Sequence, residues 1–138
     1  MKFIDSKFMR DICNVTKQSY DNGWDERNGG NISIRITEDE LKDFDDVKEV
    51  KRTFDLGFDA KAVAGQYFLV TGTGRYFRNV ISRPTEDVGL VKITEDGKHA
   101  DLHWGYEDGA KPTSEFPTHL MSHIERLKTD ENQRVVMH

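Results

Sequence analysis

Cysteine occurs once in this chain, at Cys13, so no disulfide can close within it and a reducing compartment is the expected setting. No apolar run approaches the roughly 18 residues that a membrane-spanning helix needs, and membrane insertion is not expected. Lysine and arginine are scattered and the formal net charge is −5, the opposite of the basic footprint that nucleic acid demands. The first residues lack the charged, then apolar, then small order of a secretory leader, so a cytoplasmic location is expected. Nor is there a repeat, a low-complexity segment or a linker. The 138 residues, 36% hydrophobic and 33% charged, therefore read as one globular domain.

Against these absences stands one polar, glycine-rich stretch, Trp24-Asp25-Glu26-Arg27-Asn28-Gly29-Gly30-Asn31-Ile32-Ser33. A helical pattern ends before it and a strand pattern begins at its end. Gly29 and Gly30 can take positive φ and let a ligand approach the main chain, while the carboxamides of Asn28 and Asn31 supply neutral donors. That suits an oxyanion such as phosphate; the same residues also suit a plain turn leading into a strand.

Ahead of this stretch, Ile4, Phe8, Ile12, Val15 and Tyr20 recur near helical spacing, predicting a helix from the start to Asn22 that Gly23 ends. Ile32, Ile34 and Ile36 alternate with Ser33 and Arg35, the period of a half-buried strand. From Thr37 to Arg52 seven acids and four bases surround Leu41, Phe44 and Val47, and Thr37 with Glu40 has capping-box spacing, which predicts a short solvated helix. Phe54 to Phe58 and Tyr67 to Thr71 read as strands, the second running into Thr71-Gly72-Thr73-Gly74. Arg75-Tyr76-Phe77 follows that turn, so neither the nucleotide phosphate loop nor the dinucleotide fingerprint is matched. Val88 to Thr94 and His99 to Trp104 flank Asp96-Gly97, a hairpin signal of type I′, making the sheet at least partly antiparallel. Pro112-Thr113-Ser114-Glu115 opens a helix with Phe116, Leu120, Ile124 and Leu127 on one face and Thr113 or Ser114 as its N-cap. Arg134 to Met137 begins a further strand.

Asn28 with Asn31, Thr73, and Thr113 with Ser114 thus form three neutral donor clusters at turn or helix-start positions, able together to surround a phosphate without a lysine. Glu115 beside them has two readings: a carboxylate that moves a proton on a bound ligand, or a charge that complements the helix dipole. His119 and His123, one turn apart, lack the glutamate of a zinc-protease helix and read as packed or surface histidines, as do His99 and His103 on their strand.

Four stretches together, Gly23 to Asn31, Val70 to Val80, Pro112 to Glu115 and Arg134 to His138, resemble the rhamnulose-1-phosphate aldolase branch of the class II aldolase/adducin superfamily, in the right order along nearly the whole chain. The Gly-Asn-X-Ser at Gly30 to Ser33 is common to the superfamily; the longer forms of the first two stretches are particular to this branch. The resemblance implies an α/β fold, a three-layer α/β/α arrangement around a mainly antiparallel central sheet. It implies cleavage of L-rhamnulose 1-phosphate to dihydroxyacetone phosphate and L-lactaldehyde in rhamnose catabolism, with a divalent cation, typically zinc, as cofactor, and assembly as a homotetramer. By carry-over Asn28, Asn31, Thr73, Thr113 and Ser114 bind the phosphate, Glu115 shuttles the proton, and no Schiff-base lysine is required. Thr73 departs modestly, standing where serine is common.

The larger departure concerns the metal. The family uses a His-X-His pair on a strand and a third, later histidine, and only the first has a counterpart here, His138. One imidazole cannot hold a catalytic zinc, which takes about three protein ligands. Residues 1–138 are therefore expected to be the N-terminal portion of a single domain of this kind, its sheet incomplete and its activity absent in isolation. The rivals the resemblance leaves are a fuculose-phosphate aldolase, a sugar-phosphate epimerase, which tends to carry aspartate where Glu115 stands, and a non-enzymatic adducin-like module.

Overall fold

The computed structural model describes residues 2–21, 32–72, 84–107, 109, 111–113, 116–129 and 135–137. Their regular elements are helix α1 (Lys7–Asp21), strands β1 (Ile32–Ile36), β2 (Arg52–Asp55) and β3 (Tyr67–Thr71), a one-turn helix α2 (Pro84–Asp87), strands β4 (Val88–Ile93) and β5 (His99–Gly105), helix α3 (Phe116–Thr129) and strand β6 (Val135–Met137). The six strands form one sheet in the order β2-β5-β4-β3-β1-β6, and every neighbouring pair is antiparallel.

Alternation along β3 divides the core. Tyr67 and Leu69 join Ile32, Ile34, Ile36 and Leu90 beneath Phe8, Met9 and Ile12 of α1. Phe68 and Val70 point the other way and join Val91 and Leu102 beneath Phe116 and Leu120 of α3. Helix, sheet and helix thus make the three layers the resemblance implies, with period-two strands sending alternate side chains to opposite covers. An irregularity between Leu90 and Val91 inserts one extra residue, His103, into β5. Leu90 pairs with Trp104 but Val91 with Leu102. Trp104 consequently falls in the α1-side cluster although Leu102 is on the α3 side, the change of face that a β-bulge produces.

Several local expectations are corrected. The first helix starts at Lys7, because Ser6 is its cap: the Ser6 hydroxyl accepts the Met9 amide at 3.2 Å and the Ser6 carbonyl accepts the Arg10 amide at 3.2 Å. Phe3, in a separate 3-10 turn, is buried in place of Ile4, which is exposed. Gly23, the expected stop, lies outside the described residues. Between Thr37 and Arg52 there are two 3-10 turns, Asp39–Leu41 and Asp45–Val47, and no α-helix. Leu41, Phe44 and Val47 are all buried, and their spacing of three is that of a 3-10 repeat. Glu40 still accepts the Thr37 amide at 3.0 Å, the half of the capping box that fixes the turn.

The Asp96-Gly97 hairpin forms with a longer turn than type I′. Gly97 has φ +71°, but Asp96 is not in the positive-φ region that type I′ requires of both central residues. The Gly97 amide donates to Thr94 O at 2.9 Å and the Thr94 amide to His99 O at 3.0 Å, closing a four-residue loop. The two histidines of β5 diverge: His99 lies at the surface, 2.9 Å from Asp55 Oδ1, whereas His103 at the bulge is buried and donates from Nδ1 to Val47 O at 2.9 Å. Burial pushes the His103 imidazolium pKa down. No helix among the described residues is long and apolar enough to cross a membrane.

Candidate functional site

β1 begins, β3 ends, β4 begins and β5 ends at the same end of the sheet, and the described flanks of the four resembling stretches meet there. The Ile32 amide donates to Thr71 Oγ1 at 3.1 Å, a buried bond across 39 positions of sequence. The Thr71 carbonyl accepts the Thr113 amide at 3.1 Å, Gly72 pairs with Pro112 in an isolated antiparallel bridge, and the Thr113 carbonyl accepts the Phe116 amide at 3.0 Å to start α3. On the other side of β1, Ile32 is in register with Met137. Thr71 is thus the centre of the junction, its hydroxyl holding one segment and its carbonyl another.

Behind the junction the backbone is locked. Gly105 has φ +88°, and a Cβ there would lie 2.0 Å from Val88 O, so only glycine permits this crossing. It turns the chain so that Tyr106, at φ +48°, folds its ring against Gly89, where a Cβ would come within 2.2 Å of the ring. The Tyr106 hydroxyl donates to Val70 O at 2.8 Å, one residue before Thr71. Complete burial holds that phenol protonated, its pKa well above the ordinary value. Arg52 of β2 grips the same loop, donating to Tyr106 O at 3.2 Å and Gly109 O at 3.3 Å. A cleft of about 760 Å³ opens beside the junction, bordered by Arg52, Thr53, Lys111, Thr113, Phe116 and Pro117.

A second polar cluster lies one residue further along β1. Ser33 Oγ is 2.8 Å from His119 Nδ1 and 2.8 Å from His123 Nε2, with all three residues buried. A serine hydroxyl has one proton, so at least one of the two rings must donate to it. Desolvation, then the neighbouring His119, Arg126 and Arg35 charges, lower the His123 pKa to about 3. The cluster is therefore neutral at pH 7 as far as His123 is concerned. Ser33 was not among the residues to which chemistry was assigned from sequence; the period of β1 put it on a solvent face, whereas all five residues of β1 are buried. The two histidines are packed core residues, as their sequence context suggested.

Of the phosphate, proton-transfer and metal residues expected from sequence, the structure describes Thr113, which is buried at the junction. Asn28, Asn31, Thr73, Ser114, Glu115 and His138 lie outside the described residues. Among the described residues no group of three or more histidine, cysteine, aspartate or glutamate side chains is placed to hold a metal ion.

Residues 10–138 match the family described as Class II Aldolase and Adducin N-terminal domain. The chain belongs to this family. This class II aldolase/adducin domain is 50% identical over 135 residues to the rhamnulose-1-phosphate aldolase of Listeria monocytogenes serovar 1/2a, covering 98% of the chain and 50% of that protein. It is 46% identical over 138 residues to the rhamnulose-1-phosphate aldolase of Enterococcus faecalis, covering 100% and 50%. A crystal structure of a sugar-phosphate aldolase from Thermotoga maritima superposes with a TM-score of 0.76 at 33% identity, over 94% of the chain and 51% of that one. The domain described here spans about half the length of the curated relatives it matches.

Proposed function

We propose that this class II aldolase/adducin domain carries the phosphate-binding and proton-transfer residues of an aldolase that cleaves L-rhamnulose 1-phosphate to dihydroxyacetone phosphate and L-lactaldehyde. The observation that carries the reading is the junction at Thr71. Each assigned stretch is continuous in sequence with a residue of that junction: Asn31 with Ile32, Thr73 with Gly72, Ser114 with Thr113, and His138 with Met137. Ile32, Thr71 and Thr113 are linked by hydrogen bonds, Gly72 by its bridge to Pro112, and Met137 by its register with Ile32. A phosphate without a lysine partner needs several neutral donors at once, and Asn28, Asn31, Thr73, Thr113 and Ser114 supply carboxamides, hydroxyls and helix-start amides.

In the cleavage the C3–C4 bond breaks, the C4 hydroxyl loses its proton as the aldehyde forms, and the electron pair passes to the carbon next to the ketone as an enediolate. Protonation of that carbon gives dihydroxyacetone phosphate. Glu115 is the chain's proton carrier at that carbon, and binding of the remote phosphate holds the reacting bond in place. A divalent cation, zinc by resemblance, supplies when bound polarisation of the ketone and counter-charge for the enediolate. His138 is the ligand this chain contributes by carry-over, and the described residues add no metal-binding trio to it. Cytoplasmic location and assembly as a tetramer belong to the same proposal.

The test is aldol cleavage by a protein carrying these residues at the full length of its relatives, assayed on L-rhamnulose and L-fuculose 1-phosphates. Preferential cleavage of the first is expected, with Glu115→Gln lowering kcat by roughly a hundredfold or more while bound metal is kept. Cleavage of neither, or epimerisation in place of cleavage, would contradict it.

A further inference from the structure

We propose that Ser33, His119 and His123 are positioning residues that fix the rotation and register of α3 against β1, and thereby hold the Thr113 end of the helix against the Ile32 end of the strand where an oxyanion is bound. The proposal rests on the phosphate-binding reading above and deepens it.

The composition of the cluster resembles a serine nucleophile with an imidazole base, but its burial excludes that role: Ser33 and His119 are 0% exposed and His123 is 1% exposed, so no substrate reaches them. What the geometry does provide is a two-point grip. His119 and His123 stand on successive turns of one helix face, and both rings end 2.8 Å from the same oxygen. Sliding α3 by one residue would shift both rings by about 1.5 Å and turn them by about 100°, which breaks both bonds together. Pivoting the helix about either ring moves the other off the shared oxygen, so the two bonds restrict α3 more than one would.

The grip acts on the junction through short, stiff connections. Ser33 is the next residue after Ile32, whose amide is bound to Thr71 Oγ1. His119 is one turn into α3, whose first amide is bound to the Thr113 carbonyl, and the Thr113 amide is bound to the Thr71 carbonyl. Ser33, Ile32, Thr71, Thr113 and α3 therefore form a closed loop of hydrogen bonds and chain. Packing of Phe116 and Leu120 supplies the attraction and turns the apolar face of α3 toward the sheet, but such contacts lack the sharp directionality of a hydrogen bond. The hydroxyl–imidazole bonds supply that direction.

The experiment measures binding of inorganic phosphate to the wild-type chain at pH 7.5 by calorimetry, beside thermal melts followed by circular dichroism. Ser33→Ala and His123→Leu are expected to weaken phosphate binding by ~10-fold or more. His119→Asn and His123→Gln keep a nitrogen at the reach of the one they replace, and are expected to stay within ~3-fold of wild type. A folded Ser33→Ala or His123→Leu protein with wild-type phosphate affinity would overturn the proposal. So would equal losses in His123→Gln and His123→Leu, because packing alone would then explain them. Loss of the fold in both Ser33→Ala and His123→Leu marks a merely structural cluster and overturns it as well. Absence of saturable phosphate binding by the wild-type chain is the separate result that removes the phosphate reading itself.

Discussion

Thr71 holds Ile32 by its hydroxyl, 3.1 Å from the Ile32 amide, at the point where β1 begins and β3 ends. The bond is buried and joins the residue that follows the Gly23 to Asn31 stretch to Thr71 in the Val70 to Val80 stretch. Thr71→Val keeps the shape of the side chain and removes the acceptor, leaving a buried amide to find another partner. A loss of about 1–3 kcal/mol in unfolding free energy is expected, read as a lower urea midpoint. Weakened phosphate binding should accompany it in the folded protein, whereas Thr71→Ser should retain both.

Stability should depend on pH through the buried histidines. An unfolded histidine titrates near 6.5, and folded His123 near 3. Between these values the unfolded chain binds a proton that the folded chain does not, so the contribution is complete above about pH 6.5 and is lost as pH falls toward 3, at up to ~1.4 kcal/mol per pH unit. His103, lowered by burial, acts in the same direction. The groups that face His123 are His119 and Arg126 from α3 and Arg35 from β1, and all three disfavour its cation. Urea midpoints at pH 7.5, 6.5 and 5.5 check this: His123→Gln should flatten the slope, and an unchanged slope would contradict the assignment.

The glycines behind the junction should tolerate no side chain. Gly105→Ala combines a left-handed backbone with a contact of 2.0 Å to Val88 O, a backbone atom that cannot swing away. Gly89→Ala meets the Tyr106 ring at 2.2 Å, and the ring is held by its hydroxyl bond to Val70 O. Losses of at least ~2–3 kcal/mol are expected for each, with Gly105→Ala the worse because strain adds to the clash. Thermal melts decide it; Gly57→Ala is the control, since its φ of +76° costs strain but its surroundings are open.

Much of the fold was legible where apolar pattern and turn chemistry agreed. Tyr67 to Thr71 is recovered residue for residue because a continuous apolar run, bounded by glycine, suits a strand buried on both faces. Pro112 to Glu115 marked the start of α3 through its proline and hydroxyls, and Phe116 and Leu120 are the buried face it announced. Legibility failed where one local rule competed with another. Ile4 continued a helical spacing, but the Ser6 hydroxyl captured the Met9 amide and started the helix afresh. Leu41, Phe44 and Val47 were read against a period of 3.6 although they repeat at three.

Ser33 was missed for a different reason. Alternation shows which side chains share a face, but not whether a second layer covers the polar one, and only α3 supplies the two imidazoles that make burial of a hydroxyl tolerable. The candidate site was legible as motifs and not as a place. No local signal links Ile32 to Thr71 or Thr71 to Thr113, because those bonds arise from strand order and not from sequence neighbours. The pairing of His119 with His123 on one helix face was visible from their spacing; the oxygen between them was not.

The convergence of separate stretches on one oxyanion is tested most directly by titrating the chain with inorganic phosphate and following its backbone amide resonances. Saturable shifts are expected to concentrate in residues 28–33, 71–74 and 113–116, three segments far apart in sequence, with one common dissociation constant. Shifts confined to one of these segments, or gathered instead around the exposed lysines Lys42 and Lys48, would contradict a shared site at the Thr71 junction.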